Sequence, residues 1–166
     1  DRKLVYSDPV FYDLETGNVT TEKFRNRLRE ILKNPTVTDQ QIDEAWNAMI
    51  LDIPAKRVKL LLELSKKYNV YLFSNTNKIH MNKISQEFLL QHRIEFSSLF
   101  VKDYYSQDIK DRKPNLSSFE KVVKLSGINP EDSLFVDDLE DNINGAQQVG
   151  LKTFWLKSGM ELVEIF

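Results

Sequence analysis

The sequence predicts an α/β fold: a parallel sheet with crossover helices, preceded by an all-helical lobe. Three observations predict it. Short apolar runs, Val70–Phe73 and Ser133–Val136, stop abruptly at polar residues and pass into helical patterns, the way strands of an open α/β sheet end at a ligand edge. From residue 53 on, strand and helix patterns alternate, which predicts parallel strands joined by right-handed crossovers. Residues 1–52 show helical periodicity without a clear strand, so they read as a separate unit, dividing the chain into 1–52 and 53–166.

In order, Val10–Phe11–Tyr12 is a short apolar run and Asp13–Gly17 reads as a turn. Thr20–Thr21 can cap a helix with Phe24, Leu28, Ile31 and Leu32 on one face, stopped by Asn34–Pro35. Thr38 and Gln41 have the spacing of a capping box, opening a helix with Ile42, Trp46, Met49 and Ile50 on one side. Pro54 suits the first position of a third helix running to about Tyr68. After the strand at 70–73 comes a polar helical stretch over about 77–91. Phe100–Val101 is a strand candidate, and Ser106–Lys113 reads as a polar loop. A helix with Phe119, Val122, Val123 and Leu125 closes at Gly127. The strand at 133–136, a helix to about Val149 and a last strand at 153–156 complete the pattern.

The 166 residues are 41% hydrophobic and 29% charged, ordinary for a globular chain with one core and a small accessory lobe. Net charge is −2 without blocks of like charge, which argues against nucleic acid as a partner. Neither a basic amphipathic run nor a long apolar stretch points to a membrane, and no secretory leader is visible. The chain has no cysteine, which excludes disulfides and thiolate metal sites. That fits a reducing compartment, and the expectation is a cytoplasmic protein.

In a parallel sheet the carboxyl ends of the strands share one edge, so three clusters should converge: Ser74–Asn75, Lys113 and Asp137–Asp138–Asp141. A hydroxyl, an ammonium and a group of carboxylates suit phosphate and a metal. Ser74 and the N–H groups after it can meet phosphoryl oxygens at a helix start, and Lys113 can neutralise phosphate charge. Carboxylates this close repel unless a cation lies among them, and oxygen ligands favour a hard ion, most simply Mg²⁺.

The set Ser74–Asn75–Thr76, Lys113–Pro114 and Asp137–Asp138–x–x–Asp141 resembles motifs II, III and IV of the haloacid dehalogenase (HAD) superfamily. The surroundings Leu72–Asn77 with His80, Tyr105–Asp108, and Phe135–Ala146 are similar to its small-capped sugar-phosphate phosphatases, the bacterial α-D-glucose-1-phosphate phosphatases among them. The resemblance implies a Rossmann-like core with a helical cap inserted after the first strand, so that 1–52 is most of the cap. It implies that Ser74, with Asn75, binds the phosphoryl group and that Lys113 steadies both nucleophile and phosphate. Asp138, with Asp137 and Asp141, would hold Mg²⁺. The cap would face the site, where Phe11, Tyr12 and Trp46 are candidate substrate contacts, although Trp46 lies at core spacing.

The family's nucleophile comes from an Asp-x-Asp motif after the first strand, and this sequence has none. Val10–Gly17 mimics it, but Glu15 stands for the second Asp and Thr16–Gly17 is inverted, so the segment reads as part of the cap. The expectation is that the nucleophile strand lies upstream of residue 1, a cleaved segment that stays bound being one form of it, and that these residues alone are inactive. The function implied is a Mg²⁺-dependent phosphatase for a small phosphorylated metabolite. A non-catalytic HAD-like binding protein and a phosphoglucomutase are the alternatives; a dehalogenase is disfavoured by the acidic cluster.

Overall fold

The computed structural model describes residues 7–166, so the first six residues of the expected helical unit lie outside the described residues. Among the described residues, helices α1 (Pro9–Glu15), α2 (Thr21–Ile31) and α3 (Asp39–Asn47) come first. Then follow α4 (Ala55–Ser65), β1 (Tyr71–Ser74), α5 (Lys78–His92), β2 (Lys102–Tyr105), α6 (Ser106–Ile109), α7 (Leu116–Ser126), β3 (Leu134–Asp137), α8 (Glu140–Gln148), β4 (Lys152–Trp155) and α9 (Leu162–Ile165). No helix among the described residues is long and apolar enough to cross a membrane.

Helices α1, α2, α3 and α5 start where a side chain accepts from their orphan N–H groups. Thr20 accepts from the Lys23 N–H at 3.2 Å. Thr38 and Gln41 form the reciprocal capping box, with bonds of 3.2 and 3.0 Å. Gly127 ends α7 at φ 68°, a left-handed position that glycine adopts without steric cost.

Three expectations are corrected. The turn foreseen at Asp13–Gly17 is mostly helix, because α1 runs to Glu15. Asp8 accepts from the Val10 N–H at 3.0 Å and Pro9 occupies the first helical turn, a start signal hidden by the shortness of the segment. The strand expected at Phe100–Val101 lies instead at Lys102–Tyr105, set by pairing with β1 in the register Leu72↔Asp103. Phe100 packs edge-on against Phe96, with ring centres 5.4 Å apart, in an apolar cluster with Val58, Phe88 and Leu99. The loop expected at Ser106–Lys113 begins as the single turn α6. There the buried Ser106 hydroxyl accepts from the Thr76 N–H at 2.9 Å and donates to the Thr76 carbonyl at 3.0 Å.

Helices α1–α3 bury Val10, Leu14, Phe24, Leu28 and Ile42 against Ile79 of α5. Phe24 is fully enclosed, a burial that contributes roughly 1.5–3 kcal/mol. Phe11, Phe24 and Trp46 meet with ring centres 5.2–5.6 Å apart. Trp46 also stacks on His80, whose Nδ1 lies 2.9 Å from Asn47 Oδ1.

The strands form two parallel pairs, β1–β2 and β3–β4, and among the described residues no strand joins them. Phe119 of α7, 1% exposed, bridges the pairs. Its ring makes edge contacts with Phe73 of β1 and Phe135 of β3, both at 5.4 Å. Helix α8 comes close enough for this packing because residue 145 is glycine. A Cβ there would stand 2.6 Å from the Phe119 ring and 2.9 Å from the Pro114 carbonyl oxygen.

Candidate active site

The carboxyl ends of the two strand pairs meet at Lys113. Its ammonium donates to the Phe73 carbonyl of β1 at 3.0 Å and to Asp137 Oδ2 at the end of β3 at 2.7 Å. The ammonium also lies 5.2 Å from the centre of the Phe73 ring and 5.4 Å from that of Phe135. Both side chains of the ion pair are more than nine-tenths buried. In such surroundings each charge depends on the other, because an unpaired buried charge is costly.

Asn75 holds this lysine in place. Its amide donates to the Lys113 carbonyl at 2.8 Å, and its Oδ1 accepts from the Lys113 N–H at 2.9 Å. Asp137 is held as firmly: Oδ1 accepts from the Leu139 N–H and from the Asn142 amide, both at 2.9 Å. Burial pushes the Asp137 carboxyl up, but the Lys113 charge and these hydrogen bonds prevail and keep it below its ordinary value.

Behind the loop that carries Lys113 lies Asp111, also buried. It accepts from Asn115 (2.9 Å), Ser117 (2.7 Å) and the Arg112 N–H (2.9 Å), and pairs with Lys121 at 3.0 Å. Burial alone would raise its carboxyl, yet these bonds lower it to about 2.

Of the residues expected from sequence, Asn75, Lys113 and Asp141 line one cleft of about 400 Å³, together with Arg112, Pro114, Leu139, Glu140 and Asn142. Ser74 is half-buried at the last position of β1. The helix start after it is less open to an anion than expected. The Ile79 and His80 N–H groups are capped by Asn77, both at 3.1 Å, and the Thr76 N–H is taken by Ser106. That narrows the expected phosphoryl contact to the Ser74 hydroxyl and the backbone beside it.

The three carboxylates are not equivalent. Asp137 is committed to Lys113 and Asn142, whereas Asp138 and Asp141 are exposed. Among the described residues no three acidic or imidazole side chains come together as a metal site. The donors nevertheless suit Mg²⁺ chemically, being oxygen only, and Asp141 stands at the cleft.

Sequence reasoning missed Asn142, Asp111 and Arg112. Asn142 lies within the quoted motif, one turn after Asp137, where an amide can return to the strand end. The acid at 111 and the cation at 112 immediately precede Lys113, but Arg112's partner Glu15 is distant in sequence and Asp111's partners lie on the loop and helix that follow.

A parallel α/β core whose strand ends converge on a buried Lys–Asp pair, beside a cleft lined by two cations and two carboxylates, defines a hydrolase scaffold of the HAD type. The family model described as haloacid dehalogenase-like hydrolase matches residues 15–156, and the chain belongs to that family. It is 29% identical over 153 residues to a D-ribitol-5-phosphate phosphatase of Bacteroides thetaiotaomicron, covering 92% of this chain and 73% of that protein. It is 33% identical over 110 residues to a glyceraldehyde 3-phosphate phosphatase of Pyrococcus furiosus, covering 65% of this chain and 43% of that protein. A HAD family enzyme of Bacteroides thetaiotaomicron, solved in complex with magnesium and inorganic phosphate, superimposes with a TM-score of 0.90 at 37% identity, covering 96% of this chain and 80% of that one.

Proposed function

We propose that this chain supplies the phosphate- and Mg²⁺-binding part of a phosphatase acting on a small phosphorylated metabolite, a sugar or polyol phosphate. The observation that carries the reading is Lys113, fixed by Asn75 and paired with Asp137 where the ends of the two strand pairs meet beside the cleft.

Ser74 and Lys113 bind the phosphoryl oxygens, and the Lys113 charge offsets the negative charge that grows on them during transfer. Asp138 and Asp141 are the free carboxylates that would hold Mg²⁺; the ion, when bound, shields the phosphoryl charge from an anionic nucleophile. Asp137 pairs with the lysine and keeps it aimed. The nucleophilic carboxylate would come from a segment outside these residues, seated as a strand between β1 and β3; it attacks phosphorus and breaks the ester P–O bond, the alcohol leaves and takes up a proton, and water then cleaves the aspartyl-phosphate to inorganic phosphate and the free carboxylate. Residues 1–52 act as the cap over this site and 53–166 as the core. The relatives named above act on D-ribitol 5-phosphate and glyceraldehyde 3-phosphate, which supports that substrate class; α-D-glucose 1-phosphate belongs beside them in a substrate panel.

The test is phosphate release by the whole protein from these three esters, with Mg²⁺ and with chelator. Release that chelator abolishes, and that falls by about a thousandfold or more in Lys113→Met, is the expected result. Release indifferent to chelator, or turnover of none of the esters, overturns the reading.

A further inference from the structure

Two cations line the cleft, Lys113 and Arg112, and only Lys113 has a part in the scheme above. Arg112 is held by the helical lobe. Its Nη1 lies 2.5 Å from Glu15 Oε2 at the end of α1. Its guanidinium carbon sits 5.7 Å from the centre of the Tyr12 ring, and its Nε donates to the Lys113 carbonyl at 3.3 Å. Nearby, the Asn115 amide reaches the Tyr12 hydroxyl at 3.5 Å, and the Lys110 ammonium donates to the Gly17 carbonyl. Helix α1 and its following turn thus seat directly on the loop that carries Lys113.

The contact between Glu15 and Arg112 is close but not aligned as a hydrogen bond, and Glu15 Oε2 is buried with no hydrogen-bond donor. Burial raises the Glu15 carboxyl, with the Arg112 charge working the other way. A buried oxygen in this position is out of a substrate's reach. Its effect is exerted through the guanidinium, whose side chain keeps 31% exposure and whose Nη2 makes no hydrogen bond to a described residue.

We infer that Glu15 is a specificity-determining residue acting through Arg112: it offsets the guanidinium charge while leaving N–H donors for the cleft, so that this wall takes the hydroxyl groups of a monophosphate and disfavours a second anionic group. The inference rests on the phosphatase reading. A free guanidinium would bind a phosphate or carboxylate through its donor fork. With a carboxylate 2.5 Å away, a second anion approaching Arg112 also meets the Glu15 charge. A neutral hydroxyl meets no such repulsion and can accept from the same donors. Tyr12, 47% exposed beside Arg112, adds an apolar face against which a carbon chain can lie.

The experiment compares kcat/KM of the whole protein for D-ribitol 5-phosphate and for fructose 1,6-bisphosphate. In Glu15→Gln, which keeps the shape and removes the charge, the preference for the monophosphate should fall by about tenfold, chiefly through a lower KM for the bisphosphate. Adding Arg112→Gln to Glu15→Gln should cancel that gain. A preference within about twofold of the parent in Glu15→Gln, or a gain that survives the double substitution, overturns the inference and leaves the phosphatase reading standing. Turnover of neither ester by the parent protein overturns both.

Discussion

The helical residues 7–52 and the strand-bearing remainder are held together by different kinds of contact. In the first, each helix carries its own start signal, and its apolar face closes on neighbours near in sequence. Ion pairs join adjacent helices: Arg25 with Asp43 at 2.7 Å and with Asp39 at 3.3 Å, and Arg27 with Asp8 at 2.7 Å. In the second, two strand pairs that share no ladder are tied by two distant side chains, Phe119 and Lys113. Local contacts supply most of the lobe's order, and its few distant ones, Ile79 of α5 in its core and Glu15 on Arg112, seat it beside the candidate site. The contacts that tie the strand pairs create the site, since the lysine that joins the strand ends is also the one that faces the cleft.

The sharpest way to break this contrast is to remove one buried aromatic from each region. Phe119→Ala and Phe24→Ala each delete an almost fully enclosed ring, and each should cost about 3–5 kcal/mol. They should differ in reach. Hydrogen exchange in Phe119→Ala is expected to rise in both β1 and β3, because the bridge between the pairs is lost. In Phe24→Ala the rise should be confined to α1–α3 and the Ile79 turn of α5. Equal exchange patterns in the two variants would sink the idea that the regions are separately held.

A smaller effect is expected at Asp111, which organises the loop of Lys113. Against its burial, its hydrogen bonds and Lys121 hold its folded carboxyl down to about 2, below the ordinary 3.8. A lowered acid contributes stability that is fully present above the unfolded value and is lost as pH falls through the folded one. Stability should therefore decline between about pH 4 and pH 2 in the parent, and Asp111→Asn should flatten that decline while costing about 1–3 kcal/mol at neutral pH. Thermal melts at pH 5 and pH 2.5 measure both. A parallel decline in the two proteins would remove Asp111 from the account.

The same contrast explains what the sequence made legible. The helices at Thr21 and Thr38 are announced by a cap and an apolar spacing within a dozen residues, and both are found there. Helix α1 is not legible because seven residues are too few for periodicity to outweigh turn-like composition. Strand β2 was misplaced by two residues because its position is fixed by the partner strand, not by Phe100 and Val101. At the candidate site, the strand ends are legible, since apolar runs ending in Ser74 and Asp137 are local patterns. Their commitments could not. That Asn75 would spend its side chain on the Lys113 backbone, or that Asp137 would be claimed by Lys113 while Asp138 stays exposed, depends on loops meeting across dozens of residues.

The smallest expected effect tests the local side of the comparison. Thr38 and Gln41 satisfy each other's backbone N–H groups at the start of α3. Thr38→Ala removes one acceptor and should cost about 1 kcal/mol, the usual size of a lost cap. Because α3 also carries Ile42 and Trp46 into the lobe's core, the loss should appear as a lower melting temperature of the lobe and not as a change at the Lys113 loop. Nuclear magnetic resonance shifts of the Lys113 and Asn142 amides supply the check. If those shifts move in Thr38→Ala as far as in Asp111→Asn, then the capping of a helix in the lobe is felt at the strand ends, and the two regions are coupled more tightly than their separate contacts imply.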